Sequence, residues 1–128
     1  MLNRIVFLIT LFLISSCNSP HKKQPQVYQK KLQHIVLIKY KENTSPKEFK
    51  VIEKGAYSLR EIAGVKNLNY SENVSPEKLN KGYTHSLTMY FETEKDRDEI
   101  YLPHSIHQKF VKLFVPFTTD VLVYDYWE

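Results

Sequence analysis

Four stretches of the chain have the two-residue alternation, or the apolar and β-branched composition, of β-strands. They are residues 34–40, 65–72, 83–92 and 120–128. The first and the last stretch carry apolar or aromatic residues on both alternating faces. We therefore expect a sheet covered on both sides, because an uncovered face would leave a large apolar surface in water.

Two stretches between these strands repeat apolar residues at helical spacing. The first begins at Ser45 and Pro46, where Ser45 can cap the helix and Glu48 can complete a capping box, and it ends at Gly64. Its apolar positions are Phe49, Ile52, Ala56, Leu59 and Ala63. The second runs over residues 104–117. The order βαββαβ predicts an α+β fold of the ferredoxin-like type.

Two shorter features lie between the longer elements. Residues 73–81 contain Ser75-Pro76-Glu77, which predicts a turn of helix inside a loop. Thr93 can cap a short charged helix that ends at Tyr101, because Pro103 disfavours helical backbone at the residue before it.

The N-terminus has the pattern of a targeting segment. A basic start at Arg4 precedes an apolar run over residues 5–14, which as a helix spans only ~15 Å of a hydrocarbon core of ~30 Å. The run ends in Ile14-Ser15-Ser16-Cys17, which resembles a bacterial lipobox. We expect residues 1–16 to be a lipoprotein signal peptide and Cys17 to carry lipid, which places the domain in the bacterial cell envelope, outside the cytoplasm. The alternative is a plain signal peptide with an incidental Cys17.

The net positive charge of the chain comes from residues that precede the predicted domain. Of the 18 basic residues five precede residue 34, and residues 34–128 carry 13 basic against 14 acidic groups. A nucleic-acid-binding domain needs its basic surface on the fold itself, so nucleic acid is not an expected partner. Residues 17–33, with four lysines and no acidic group, are expected to be a flexible basic tether. It can touch anionic lipid or serve only as a solvated spacer.

Four segments of residues 34–128 carry a family resemblance. They are HIVLIKYK, SENVSPEKLNKGYTHSLTMYFET, YLPHSIHQKF and DVLVYDYW. Together they resemble the stress-responsive A/B barrel domain family, with GYTH and YLPHxxH as the most specific motifs. The resemblance implies a ferredoxin-like protomer whose sheet pairs with a partner's in a dimeric α/β barrel, and a cavity between sheet and helices. We expect a homodimer, with Val36, Leu122 or Tyr124 covered at its interface.

The resemblance also implies candidate catalytic residues. The plant polyketide cyclase of this family performs an intramolecular aldol condensation without metal, with a histidine, a tyrosine and a further strand histidine. Matched motif to motif, these fall on His107, Tyr101 and His34, and His85 matches a cavity-lining histidine. Without the family resemblance, His34 can instead be a solvent-exposed residue at the rim of the sheet, because it begins a strand.

The residues around the predicted second helix support a cavity lined by apolar side chains. His107, Phe110, Val111 and Phe114 share one helix face, so we expect the last three to contact a small hydrophobic or aromatic ligand. A histidine near a helix start is kept neutral and can act as a base, while Tyr101 can donate a hydrogen bond to a developing oxyanion. The alternatives are a core histidine and a packed aromatic residue.

Two features near His107 limit this chemistry. The family's usual YLPHPAH is interrupted by Ser105 and Ile106, and a larger Ile106 would narrow the pocket against bulky substrates. His104 is expected at the helix N-terminus or on the surface. His104 and His107 are three residues apart but lack an evident third ligand, so neither a metal site nor a cofactor is expected.

Two functions remain after these exclusions. One is a lipid-anchored, dimeric small-molecule-binding or stress-response module. The other is a cofactor-free acid–base enzyme with polyketide-cyclase-like aldol chemistry on an aromatic or polyketide-like carbonyl compound, with His107 as base and Tyr101 as oxyanion donor. Cavity geometry distinguishes the two, because catalysis requires the Tyr101 oxygen and a His107 nitrogen to converge on one enclosed space.

Overall fold

The computed structural model describes residues 29–128, which form a four-stranded antiparallel sheet with two helices on one face. The elements are β1 (Leu32–Tyr40), α1 (Pro46–Ser58), β2 (Lys66–Glu72), β3 (His85–Phe91), α2 (Ser105–Phe114) and β4 (Thr118–Trp127). The strand order is β2-β3-β1-β4. The predicted ferredoxin-like α+β fold is confirmed.

Strand β1 begins two residues before the predicted start. Leu32 is paired on both sides, with Phe91 of β3 and Trp127 of β4, and only 2% of it is exposed. Backbone hydrogen bonds between Lys31 and Glu128 continue the ladder beyond it. The end of the predicted tether therefore belongs to the sheet, while Cys17 and the predicted signal peptide lie outside the described residues.

Helix α1 begins as its sequence predicts. Ser45 Oγ accepts a hydrogen bond from the Glu48 amide at 3.3 Å, and Glu48 Oε2 accepts one from the Ser45 amide at 2.6 Å. This reciprocal capping box satisfies two amides that the helix itself leaves free. These contacts also lower the pKa of the Glu48 carboxyl, since they favour its ionised form.

The prediction of a helical turn over residues 73–81 is wrong, because this segment forms non-helical loop and turn structure. Asn73 Oδ1 accepts from the Ser75 amide at 3.0 Å, and Ser75 Oγ accepts from the Glu77 amide at 3.4 Å. Such local side-chain hydrogen bonds compete with a helix for the same backbone donors.

The short charged helix before Pro103 is present and widens into a π-helix over Asp96–Tyr101. Thr93 Oγ1 accepts from the Asp96 amide at 3.1 Å, which makes Thr93 the predicted cap. At the other end, the Leu102 amide donates to the Arg97 carbonyl at 2.9 Å, five residues back. Single turns of π-helix are frequent at functional sites.

The two faces of the sheet differ in how they are covered. Val36 is 6% exposed and faces the helices, so its predicted place at a dimer interface is wrong. Val36 is opposite Val123 on β4, and the residues before and after Val123 point to the open face. These are Leu122 and Tyr124, which remain 41% and 59% exposed.

Among residues 29–128, no helix has the length and apolar content needed to cross a bilayer.

Candidate functional site

A cavity of about 290 Å³ lies between the sheet and α2. Three polar residues line it: His34 from β1, Tyr101 from the π-helix and His107 from α2. The rest of its wall is apolar and is formed by Val36, Leu87, Leu102, Phe110, Val111, Phe114, Val115, Val121 and Val123. The structure thus brings together the three predicted catalytic residues and three of the four predicted ligand-binding residues.

Tyr101 is a buried tyrosine whose hydroxyl is free. The residue is 1% exposed, and its ring centroid lies 5.6 Å from that of His34 and 4.4 Å from that of His107. Among the described residues no group hydrogen-bonds its hydroxyl, and the one sealed, unpartnered side-chain polar atom is Thr44 Oγ1. The Tyr101 hydroxyl therefore opens into the cavity. Burial raises the pKa of Tyr101, so the hydroxyl stays protonated and can donate.

His107 is held in one tautomer by the backbone. Its Nδ1 lies 2.9 Å from the Leu102 carbonyl oxygen, and a carbonyl only accepts, so Nδ1 carries the hydrogen. Nε2 of the neutral ring is then an acceptor. Burial lowers the pKa of His107 and outweighs the opposing effect of the Leu102 hydrogen bond, so the ring is a neutral base near pH 7.

His34 is the more buried of the two histidines of the site. It is only 5% exposed, so the alternative that His34 lies at the solvent-exposed rim of the sheet is wrong. Its Nδ1 lies 2.7 Å from Asp125 Oδ1. Burial lowers the pKa of His34 more than the Asp125 carboxylate raises it, and the nearby Arg97 lowers it further. His34 is thus a second neutral imidazole with a free Nε2.

Asp125 and Arg97 are site residues that the sequence analysis missed. Asp125 Oδ2 accepts from Arg97 Nη1 at 2.8 Å while its other oxygen binds His34. A signal was present in the sequence, since Asp125 stands between Val123 and Trp127 on the face of β4 that lies toward the helices. An acidic residue in such a row needs a partner, because an unpaired buried charge is strongly disfavoured.

His85 lies apart from the cavity, contrary to expectation. On β3 it is opposite Ile38, whereas Met89, four residues further along, is opposite His34. The His85 ring stacks on Phe49 at 5.0 Å and on Tyr70 at 5.4 Å. It belongs to an aromatic cluster at the other end of the sheet.

Two residues near the start of α2 have structural roles. Ile106 packs near Gly55 and Leu113 between the helices and does not line the cavity, so the predicted narrowing of the pocket is wrong. His104 caps α2, with its Nδ1 accepting from the Ile106 amide at 3.2 Å.

Within residues 29–128, no group of three or more histidine, cysteine or acidic side chains is placed to hold a metal ion.

Comparison with known proteins identifies the family. The family described as the stress-responsive A/B barrel domain matches residues 32–128. The chain belongs to this family. Stress-response A/B barrel domain-containing protein HS1 of Arabidopsis thaliana is 32% identical over 96 residues, which cover 74% of this chain and 87% of that protein.

Solved structures share the fold of this A/B barrel domain at lower identity. Hydroxynitrile lyase from Passiflora edulis superposes with a TM-score of 0.72 at 22% identity, covering 78% of this chain and 94% of the lyase. A dimeric ferredoxin-like protein from Thermobifida fusca superposes with a TM-score of 0.67 at 15% identity, covering 83% of this chain and 98% of that one. At these identities the likeness shows the fold alone.

Proposed function

We propose that this A/B barrel domain binds a small, largely apolar molecule that carries a carbonyl or hydroxyl group. The observation that carries the proposal is the free hydroxyl of buried Tyr101 inside an apolar cavity. A buried polar group without a partner costs about 1–3 kcal/mol, so a ligand that accepts its hydrogen bond gains affinity at this point. The cavity is at the lower end of the roughly 300–1,000 Å³ typical of ligand pockets, which favours a small ligand.

The polar atoms of the cavity define what the ligand must offer. Tyr101 presents one donor, and the Nε2 atoms of His34 and His107 present two acceptors. A ligand with an oxygen acceptor next to a hydroxyl, or next to an acidic C–H, matches this set. The apolar wall matches a hydrocarbon or aromatic remainder.

The same set of groups supports a second candidate function, proton transfer without a cofactor. The centroids of two neutral imidazoles lie 5.6 and 4.4 Å from that of a tyrosine that stays protonated. One imidazole can take a proton from the carbon or hydroxyl next to a carbonyl, while Tyr101 donates to the developing oxyanion. The hydroxynitrile lyase from Passiflora edulis, which shares this fold, is itself an enzyme.

We also propose that the domain is a homodimer tethered to a membrane. The open sheet face carries exposed Leu122, Tyr124 and Tyr126, and the Thermobifida fusca protein with this fold is dimeric. A second copy would cover this apolar face. The lipobox-like segment ending at Cys17 supports a lipid anchor in the cell envelope.

Ligand binding is tested with a panel of small aromatic and aliphatic aldehydes, ketones and hydroxyketones, monitored by NMR shift perturbation of the full-length protein. We expect bound compounds to lose about tenfold in affinity in Tyr101→Phe and in His107→Gln. His85→Gln is the matched control, because His85 lies outside the cavity. Equal affinity in all four proteins, or no binding across the panel, contradicts the proposal.

Catalysis is separated from binding by exchange of the α-hydrogens of a bound ketone in deuterated water. Loss of a general base typically costs 10²–10⁴-fold in rate, so His107→Ala should slow the exchange by that order. A ligand that binds tightly but exchanges at the rate seen without protein shows a binding module only.

A further inference from the structure

A chain of ion pairs leads from the surface to the most buried histidine of the cavity. Asp98 holds the Arg97 guanidinium at two points, at 2.7 and 3.2 Å. Arg97 Nη1 donates to Asp125 Oδ2 at 2.8 Å, and Asp125 Oδ1 accepts from His34 at 2.7 Å. The chain joins β1, β4 and the π-helix.

Both oxygens of the Asp125 carboxylate are engaged by different partners. Rotation of this carboxylate therefore breaks at least one charge-assisted hydrogen bond. Its side chain is 22% exposed and that of Arg97 21%, so the pair is shielded from water more than a surface ion pair. A fixed carboxylate fixes the tautomer of the imidazole that it binds.

The two charged residues act on His34 in opposite directions. Asp125 favours a proton on the ring, whereas Arg97 disfavours a second positive charge nearby. The other titratable groups against the ring are Tyr101, which stays protonated, and His107, which is neutral near pH 7. Asp125 alone would orient the ring and also promote the imidazolium form, which has no free acceptor.

We propose that Arg97 and Asp125 are positioning residues of this cavity: Asp125 orients His34 so that Nε2 is its free acceptor, and Arg97 fixes that carboxylate and places a positive charge beside it, which opposes a second one on the ring. This inference rests on the proposed function, since it gives His34 the role of the second ligand acceptor or base. Arg97 is suited to this role because its planar guanidinium contacts two carboxylates at once and keeps its charge at all relevant pH values. Neither residue needs to touch the ligand.

The test is a pH titration of the ¹⁵N-labelled histidine side chains of the full-length protein by NMR, with His34 assigned from His34→Gln. In the native protein we expect a neutral His34 with hydrogen on Nδ1. In Arg97→Gln the titration midpoint of His34 should rise by about one pH unit, because a positive neighbour is lost. Arg97→Lys keeps the positive charge, so its His34 midpoint should lie close to that of the native protein. Lys95→Gln is the control, since Lys95 is an exposed cation that contacts neither His34 nor Asp125.

Asp125→Asn supplies an independent second variant. The amide can donate as well as accept, so we expect a mixture of His34 tautomers and a lower midpoint. An unchanged tautomer in folded Asp125→Asn, or a midpoint in folded Arg97→Gln that matches the native protein, overturns the proposal. If Arg97→Gln does not fold, Asp125→Asn and Arg97→Lys decide it. These measurements need no ligand, so their outcome is separate from that of the binding and exchange experiments.

Discussion

The ring centroids of Tyr101 and His107 lie 4.4 Å apart, and both residues line one cavity from different elements. Tyr101 comes from the π-helix and His107 from the first turn of α2. The His107 ring is fixed through Leu102, the residue directly after Tyr101. The Pro103 turn therefore sets the distance between the two side chains, and the convergence required for acid–base chemistry is a local property of this segment.

Tyr101 and Tyr40 are both buried, but only Tyr40 has a hydroxyl partner, at 3.0 Å from the Tyr70 hydroxyl. We expect Tyr40→Phe to lower the free energy of unfolding by about 1 kcal/mol, because the Tyr70 hydroxyl loses its acceptor. Tyr101→Phe should not lower this free energy and should raise it by about 1–3 kcal/mol, because it removes an unpaired buried hydroxyl and breaks no hydrogen bond. Urea denaturation of both variants measures the difference. A loss in Tyr101→Phe would mean that its hydroxyl is structural.

Stability should fall as the solution becomes acidic. His34, His85 and His107 each have a pKa lowered by burial, so the unfolded chain binds protons at a higher pH than the folded one. The free energy of unfolding is then fully retained above pH ~7 and decreases as pH falls below the unfolded histidine value of ~6.5. Urea midpoints at pH 7.5, 6.5 and 5.5 measure this slope.

The control for the acid effect is His34→Gln, which removes one of these groups. Its pH dependence between 7.5 and 5.5 should be shallower than that of the native protein. A native protein whose urea midpoint is constant over this interval, or rises toward pH 5.5, would contradict the assignment of neutral buried histidines.

The open sheet face should hold two copies together. Light scattering at micromolar concentration is expected to give twice the monomer mass for the native protein. Leu122→Asp should yield a monomer, because it places a charge in the apolar face. Val51→Asp is the matched control, since Val51 is 50% exposed on α1, on the other side of the sheet. A native monomer, or dissociation by both variants alike, would remove the basis for the dimer.

Membrane attachment should depend on Cys17. After cell fractionation, we expect the native protein in the membrane fraction and Cys17→Ala in the soluble or secreted fractions. Ser19→Ala, a change of a small polar residue beyond the lipobox-like segment, should behave as the native protein does. Equal membrane association of native protein and Cys17→Ala would argue against lipidation.

The capping box of α1 shows why the elements were predictable from sequence. Ser45 and Glu48 are three residues apart, and their interaction depends only on local backbone geometry. The same holds for Thr93 with Asp96. Residues 73–81 show the limit of local rules, since Ser75 can cap a helix or bond within a turn and both conformations agree with the sequence.

The sequence predicted the candidate site in part: it placed His34 correctly and His85 wrongly. The register between strands explains this difference. His34 and His85 both match family histidines and both face the helices, but antiparallel pairing places them four residues apart along the sheet. One lies at the cavity and the other in an aromatic cluster. No pattern along a single strand reveals which of two inward-facing histidines meets residues from α2.

The sequence by itself determined the order of the elements, the N-terminal caps of α1 and of the short helix that begins after Thr93, and the family, because these depend on residues close together in the chain or on short motifs. Tertiary structure alone decided the cavity, the free hydroxyl of Tyr101 and the pairing of His34 with Asp125, 91 residues away. Which side chains meet across β1, β4 and the helices depends on the register between strands and on the packing of the helices on the sheet. Both are set by all of these residues together, because burial and hydrogen-bond pairing are optimised over the whole fold at once.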